Sequence, residues 1–253
     1  MNERRENVSQ RENTTLGHQQ RDEFAWDFMV GTFDWQLYTI CIEIAAQALL
    51  IAITIAVARK CLMRGLSRTA EHAFYCILGF FLAPGEALLS KHSWLLVRLI
   101  GLHTLDLMHI ALGLLGFYSG CIGLLPKSRW YGHKPCICIT HSLTKHGFCG
   151  LLGLFLTAGC LLSGLALLGV RNVSLNLSHR LFGLSGFFCS ICSQWFAYNS
   201  GFARREWREQ HIKLLKLGTL AIILTVAHYE LWCLARDIVQ LMPKETFEIF
   251  HRD

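Results

Sequence analysis

Six long apolar stretches constrain the fold of this chain more than any other feature of its sequence. A helix needs about 20 mostly apolar residues to cross the hydrocarbon core of a membrane, because each residue adds only about 1.5 Å of length. The stretches, called spans 1 to 6, run from Trp35 to Ala58, Ala70 to Leu89, Leu105 to Leu125, Leu143 to Leu168, Leu177 to Tyr198 and Leu214 to Ala235. The sequence therefore predicts an all-α membrane protein with six transmembrane helices.

Composition and loop length support one transmembrane domain. Only 17% of the 253 residues are charged, whereas about a quarter are charged in a typical soluble domain. The spans do not alternate apolar with polar residues, which argues against a β-barrel. We expect a polar N-terminal tail over residues 1–33, a transmembrane domain over 34–236 and a short C-terminal tail over 237–253. The expected surroundings are membrane lipid, with no nucleic acid, and span 1 is expected to direct insertion.

Four histidines, one on each of spans 2 to 5, are the strongest candidates for function. They are His72, His109, His146 and His179, at intervals of 37, 37 and 33 residues. Ionisable residues inside a membrane are costly, so each is a functional candidate by default. Consecutive spans run in opposite directions, and this threading puts His72 and His146 near one membrane face and His109 and His179 near the other.

Two neutral imidazoles on facing helices can fill both axial positions of a haem iron, and helix bundles commonly hold cofactors in this way. The sequence therefore predicts two b-type haems in a four-helix core, with axial pairs His72/His146 and His109/His179, roughly 15 to 20 Å apart across a core of about 30 Å. No Cys-x-x-Cys-His motif occurs, so non-covalent haem is expected. Glycines that would leave space for porphyrin are Gly79, Gly85, Gly113, Gly116, Gly120, Gly147, Gly150, Gly153, Gly183 and Gly186.

Other interpretations fit parts of this pattern. A single interfacial histidine is commonly just hydrogen-bonded, glycine-rich faces also serve ordinary helix packing, and most of the eleven cysteines fit the role of small buried apolar residues. His228 in span 6 is expected to make a local contact. A metal-ion or proton transporter would place carboxylates beside the histidines at the midplane, whereas these histidines lie near the two faces. A haem-free structural membrane protein is a third alternative.

Short motifs surround the four histidines. Glu71-His72 is followed by Glu86-Ala87-Leu88-Leu89, and the other motifs are Leu107-Met108-His109-Ile110, Thr144-Lys145-His146-Gly147-Phe148-Cys149-Gly150-Leu151 and Leu177-Ser178-His179-Arg180-Leu181-Phe182-Gly183-Leu184. Over about residues 40 to 235 the chain resembles the eukaryotic cytochrome b561 family, and most closely its short, cytochrome b561 domain-containing branch. The resemblance implies two bis-histidine haems with the pairs given above.

The resemblance also implies an ascorbate-dependent transmembrane oxidoreductase in the endoplasmic reticulum or another endomembrane. Ascorbate would be the electron donor, and monodehydroascorbate or ferric iron the acceptor. The chain departs from the family pattern in reading His72-Ala73 where His-Pro is usual, and in having only Lys91 or His92 as the basic residue at the end of span 2. These departures concern the ascorbate site rather than the haem ligands.

An ascorbate anion needs a cation beside a haem edge at the water boundary. Lys91 lies on the side of His109 and His179, and Lys145 lies next to His146, so both lysines are candidate substrate residues. Either lysine also fits the role of a snorkelling anchor at the end of a span. Acidic residues at depth, Glu43 and Glu86, are expected to hydrogen-bond between helices or to form a proton path.

Membrane orientation has two conflicting indications. Basic residues concentrate in the loops after spans 1, 3 and 5, which are Arg59, Lys60, Arg64 and Arg68, then Lys127, Arg129 and Lys134, then Arg204, Arg205 and Arg208. The positive-inside rule then places the N-terminus outside, and so do glycosylation sequons at Asn7, Asn13, Asn172 and Asn176. The family resemblance implies a cytoplasmic N-terminus. Orientation stays open, as does the oligomeric state, with a homodimer as one alternative.

Overall fold

The structure is a computed structural model that describes residues 33–128, 144–170 and 172–241, and its regular elements over these ranges are helical. The chain divides into two compact units, Met1–Ile42 and Glu43–Asp253. In the first unit the described residues form the beginning of the first helix. The second unit contains the four histidines. The predicted tails lie largely outside the described residues.

Eight helices are described. They are α1 (Phe33–Met63), α2 (Arg68–His92), α3 (Trp94–Ile100), α4 (Leu102–Ser128), α5 (Lys145–Gly169), α6 (Val173–Ala197), α7 (Gly201–Glu206) and α8 (Glu209–Leu241). Local capping explains several starts, because a side-chain oxygen that accepts from an early backbone N–H replaces a missing helical bond. Thr144 caps α5 in this way, Asn172 caps α6 and Ser200 caps α7. Gly101, at φ 81°, separates α3 from α4.

Five described helices are long and apolar enough to cross a membrane, namely α1, α2, α4, α5 and α8. These helices correspond to predicted spans 1, 2, 3, 4 and 6. Predicted span 5 also forms a helix, the 25-residue α6, but it is not among the five. The reason is its polar content, which includes Asn176, His179, Arg180 and Gln194 as well as five serines. A count of six spans therefore stays a prediction.

Helix α2 contains a π-helical segment, Ile77–Leu82, between α-helical parts Arg68–Cys76 and Ala83–His92. π-Helical turns are rare and are found frequently at functional sites. In this segment the backbones of α2 and α4 are in close contact, because a Cβ atom added to Gly79 would lie 2.3 Å from the backbone nitrogen of Gly120. Small residues allow such an approach. Gly79 and Gly120 thus serve helix packing, and the prediction that they leave space for a porphyrin is wrong.

Most other glycines in that prediction also face protein atoms. A Cβ on Gly116 would lie 3.0 Å from the Cβ of Ala83, and one on Gly153 would lie 2.8 Å from Ser190 Oγ. Gly113 differs, since a Cβ added there would have nothing within 4 Å. The main apolar core joins α1, α2, α6 and α8, with fully buried members Leu50, Ile77, Ile191 and Ile222.

Candidate functional site

The structure brings together the two histidines of each predicted pair. The ring centroids of His72 on α2 and His146 on α5 are 5.9 Å apart, with an interplanar angle of 81°. The centroids of His109 on α4 and His179 on α6 are 6.1 Å apart, with an angle of 75°. Two pairs on four different helices therefore have nearly the same spacing and the same edge-to-face arrangement.

All four rings are held through the same atom. In each ring Nδ1 lies within hydrogen-bonding distance of a backbone carbonyl oxygen on a neighbouring helix. The acceptors are Gly123 for His72 at 2.7 Å, Ala87 for His109 at 3.0 Å, Ser193 for His146 at 3.0 Å and Cys160 for His179 at 2.9 Å. A carbonyl oxygen only accepts, so Nδ1 donates and carries the proton. In that tautomer the Nε2 atom carries the lone pair with which an imidazole binds a metal.

These hydrogen bonds organise the four helices into two couples. His72 donates from α2 to α4, and His109 donates back from α4 to α2. In the same way His146 donates from α5 to α6, and His179 donates back from α6 to α5. Each ring is thus fixed by the other helix of its own couple and faces a ring of the opposite couple.

The pairs lie at opposite ends of these helices. His72 contacts Gly123 near the end of α4, whereas His109 contacts Ala87 near the end of α2. We call the surroundings of His72 and His146 the His72 end, and those of His109 and His179 the His109 end. A helix rises about 1.5 Å per residue, so the interval from residue 72 to residue 87 separates the two ends by roughly 20 Å.

The spacing of each pair fits one metal ion between the two rings. Two metal–nitrogen bonds of about 2 Å each, with about 1 Å from each nitrogen to its ring centre, put two axial imidazoles roughly 6 Å apart between centroids. Among the described residues no group of three or more His, Cys, Asp or Glu side chains is arranged to hold a metal ion. Two protein ligands suffice for haem iron, because the porphyrin supplies the other four nitrogens. The residues present therefore fit a bis-histidine haem at each end.

Further side chains contact the Nδ1 side of three rings. Ser193 Oγ lies 2.9 Å from His146 Nδ1, and it also donates to the backbone oxygen of His146. Cys160 Sγ lies 3.4 Å from His179 Nδ1, and Cys76 Sγ lies 3.6 Å from His72 Nδ1. Sequence reasoning missed all three. A signal existed only for Cys76, which follows His72 by one helical turn.

The two candidate substrate lysines have different surroundings. Lys91 Nζ donates to Asp106 Oδ1 at 2.5 Å, and Asp106 lies three residues before His109, on the same side of α4. Lys145 Nζ lies 6.0 Å from the centre of the Phe196 ring. The charge of Lys91 is therefore partly balanced by a carboxylate, and Lys145 contacts an aromatic face at the His72 end.

A cavity of about 520 Å³ lies where α6 ends and α8 begins, which is also at the His72 end. Its lining includes Arg204, Trp207, Lys213 and Lys216. Lys216 Nζ donates to Asn199 at 2.8 Å, and Lys213 pairs with Glu209 at 2.9 Å. Three cations and one carboxylate give this opening a net positive charge.

A buried ionic cluster lies at the His109 end, and sequence reasoning missed it. Glu230 of α8 is only 5% exposed, and its carboxylate contacts His92 of α2 and Arg180 of α6. By sequence position alone, His92 is only a basic residue at the end of span 2. The available signal was a glutamate within an apolar span, which calls for a partner.

Other predicted polar residues make simpler contacts. Ser93 Oγ donates to Glu43 Oε2 at 2.9 Å, which favours the hydrogen-bonding interpretation of Glu43 over a proton path. His228 contacts the backbone oxygen of Thr225 at 2.7 Å, so its predicted local contact is confirmed. Glu86 is half-buried on α2. The histidines of the loop after span 3 lie outside the described residues.

A bundle of long apolar helices with two histidine pairs defines the general class, an integral multi-pass membrane protein with paired imidazole sites. The family model of eukaryotic cytochrome b561 matches residues 71–204, a range that contains all four histidines and more than half of the chain. The chain therefore belongs to the eukaryotic cytochrome b561 family. Searches of curated proteins and of solved structures give no match.

Family membership suggests transmembrane electron transfer by an oxidoreductase that binds b-type haem. The family match does not distinguish branches, so the short branch stays a prediction. The number of haems, the substrates and the compartment are likewise not given by membership.

Proposed function

We propose that this protein passes single electrons across a membrane through two non-covalently bound b-type haems, one on each histidine pair, with α6 as the sixth span. The observation that carries the proposal is the repeated geometry of the pairs. Four Nδ1 atoms are fixed on backbone carbonyls, and both ring pairs have the spacing of axial ligands. Ordinary interfacial histidines have no reason to share one tautomer and one spacing.

The chain's own contribution is ligation and orientation. Hydrogen bonds to the non-ligating nitrogen fix the tautomer and the ring plane and raise the basicity of the other nitrogen. Bound haem supplies the one-electron chemistry, and the protein tunes it through its ligands and their surroundings. With a site at each end, an electron crosses roughly 20 Å between the two sites along α2 instead of the whole hydrocarbon core of about 30 Å.

Ascorbate is the proposed donor, and monodehydroascorbate or ferric iron is the proposed acceptor, both on the strength of family resemblance. Lys145 is the preferred contact for the anion, because Lys91 already pairs with Asp106 and because a cationic cavity opens at the end where Lys145 lies. Rates of haem reduction, measured at several ascorbate concentrations, decide between Lys145 and Lys91 as the residue that contacts the anion. We expect Lys145→Gln to raise the half-saturating concentration more than Lys91→Gln, and the reverse order would move the donor site to the His109 end.

Absorption spectroscopy of the purified protein tests the core of the proposal. We expect a bis-histidine b-type spectrum, about two haems per chain, and reduction by ascorbate. Alanine at His72 or His146 removes the haem of one end, and alanine at His109 or His179 removes the other, so the double variant His72→Ala with His146→Ala still retains one haem.

The matched control is His228→Ala, because His228 is exposed and its ring hydrogen-bonds to the backbone oxygen of Thr225 on its own helix. This variant retains both haems. A wild-type protein without a Soret band would overturn the proposal and favour either a metal-ion or proton transporter or a haem-free structural membrane protein.

A further inference from the structure

The ionic cluster at the His109 end joins three helices through one buried carboxylate. His92 Nε2 lies 2.5 Å from Glu230 Oε2, and Arg180 Nε donates to Glu230 Oε1 at 2.5 Å. The three side chains come from α2, α6 and α8. Glu230 is therefore an acceptor for two cationic or potentially cationic groups at once.

A second carboxylate completes the cluster. A terminal guanidinium nitrogen of Arg180 donates to Asp237 Oδ2, so Arg180 is met by a carboxylate on each side. Arg236 lies farther away, at 3.7 Å from Asp237, and Tyr229 packs against the His92 ring at 4.3 Å between centroids. The positive charge of Arg180 is thus neutralised by α8.

Helix docking alone does not account for this cluster. Helix α8 already packs on the main core through Ile222 and Val226, and on a smaller cluster with Leu184 through Ala227 and Leu234. Well-packed apolar residues are often as stabilising as a buried ion pair, because removing charges from water is costly. Charged residues retained in membrane helices commonly have a functional role.

The position of Arg180 indicates what that role is. Arg180 directly follows His179 on α6, so the charged cluster lies at nearly the same depth as the site of His179, on the side of α6 that faces α8. At the other pair the directly adjacent charged residues are Glu71 and Lys145, which have opposite charges, and Lys145 is exposed, where water screens its charge. A charge near iron changes its electron affinity, because reduction from ferric to ferrous adds one negative charge to the centre.

We propose that Glu230 and Asp237 neutralise Arg180 and thereby set the electron affinity of the haem at the His109 end independently of the haem at the His72 end. The inference rests on the proposed function. Glu230 acts through Arg180, so it is a positioning residue rather than a ligand. Removal of the Glu230 carboxylate makes the cluster one charge more positive, which favours the ferrous state, and removal of the Arg180 guanidinium makes it one charge more negative, which disfavours that state.

Redox titration of the full-length protein, with dithionite as reductant and the absorption spectrum as readout, tests this inference. Glu230→Gln raises the potential of one haem and Arg180→Gln lowers the potential of the same haem. At an effective dielectric constant of about 20, one charge at roughly 10 Å changes the reduction equilibrium by about tenfold, which is about 59 mV for a one-electron couple. In the double variant the potential of that haem returns close to the wild-type value. In Glu230→Asp, which keeps the charge, the potential changes little.

The matched control is Glu206→Gln, which removes a buried carboxylate paired with Arg64 at 2.7 Å, beyond the opposite end of α6. We expect this variant to leave unchanged the potential of the haem that responds to Glu230→Gln. Should Glu230→Gln not fold, Asp237→Asn removes a more exposed carboxylate of the same cluster and gives a smaller upward shift.

The inference would be overturned if the potential shifted in the same direction in Glu230→Gln and Arg180→Gln, or in neither variant. A purely structural cluster would be destabilised in the same way by either substitution, so both variants would change the potential in the same direction. Such a result leaves the proposed function standing if two haems are bound. Absence of haem from the wild-type protein would instead overturn the proposed function itself.

Discussion

The His72 end and the His109 end hold their histidines in the same way but surround them differently. At both ends a backbone carbonyl fixes Nδ1, and the ring centroids are 5.9 and 6.1 Å apart. At the His72 end Ser193 Oγ lies 2.9 Å from His146 Nδ1, and Lys145 and the charged residues of the cationic cavity lie at the ends of their helices. At the His109 end a buried cluster around Glu230 and the Lys91–Asp106 pair bring charges. The comparison separates two tasks, since backbone orients the rings and side-chain charge distinguishes the ends.

The buried charges at the His109 end affect the direction of electron flow between the two sites. Two sites with identical ligands and identical surroundings would share an electron equally, and nothing in the protein would favour one direction. The buried charges around Glu230 change the electron affinity of the site at the His109 end, while the other site, roughly 20 Å away along α2, is affected far less. The protein can therefore adjust one site without altering the geometry of either.

Substitution of Gly79 should have the largest effect, because it disturbs both ends at once. The added Cβ in Gly79→Ala would meet the backbone nitrogen of Gly120 at 2.3 Å and the backbone oxygen of Gly116 at 2.6 Å. Backbone cannot move aside as a side chain can, so α2 and α4 must separate. Overpacking of this kind costs roughly 1 to 3 kcal/mol or more. We expect a lower thermal midpoint in detergent and loss of haem from both pairs.

Gly169→Ala is the control for that experiment, since nothing lies within 4 Å of the corresponding Cβ position at the end of α5. It should keep both haems and the wild-type midpoint. If Gly79→Ala behaved in the same way, the close approach of α2 and α4 would not be what holds the two ends in register.

The sequence predicted the pairing of histidines because antiparallel threading depends only on the order and length of the spans. It could not identify the carbonyl acceptors, since a backbone oxygen such as that of Gly123 has no sequence signature. Nor could it find the contact between Arg180 and Glu230, which lie 50 positions apart and meet only when α8 packs beside α6. Gly79 was misassigned because a glycine that admits a flat ligand and one that admits a neighbouring backbone look alike in sequence.

Gly164→Ala should affect only the His109 end. The added Cβ would lie 2.9 Å from Cε1 and 3.0 Å from Nδ1 of His179, so the ring must turn away from its acceptor, the carbonyl of Cys160. Loss of such an orienting contact typically weakens metal binding 10- to 100-fold. We expect haem content to fall from about two towards one per chain, with the haem of the His72 end retained.

The counterpart at the His72 end is Gly150→Ala, whose Cβ would meet only the Ser193 side chain, at 3.1 Å from Oγ. A hydroxyl can rotate or shift by a few tenths of an ångström, so this variant should keep both haems. Equal losses in the two variants would mean that ring orientation is not controlled locally at each end.

The smallest effect is expected from the groups that supplement the carbonyl acceptors. Ser193→Ala removes a hydroxyl 2.9 Å from His146 Nδ1, yet the backbone oxygen at the same position still accepts from that nitrogen. One net hydrogen bond contributes about 0.5 to 1.5 kcal/mol, so haem affinity at the His72 end should fall by at most about tenfold.

Cys160→Ala removes a thiol 3.4 Å from His179 Nδ1. Because a thiol is a weak hydrogen-bonding group, the loss of haem affinity at the His109 end should be smaller still. Haem dissociation rates measured by transfer to an apo-globin acceptor rank the two variants, and a larger loss in Cys160→Ala would show that the ends differ in their ligand support and not only in their charge.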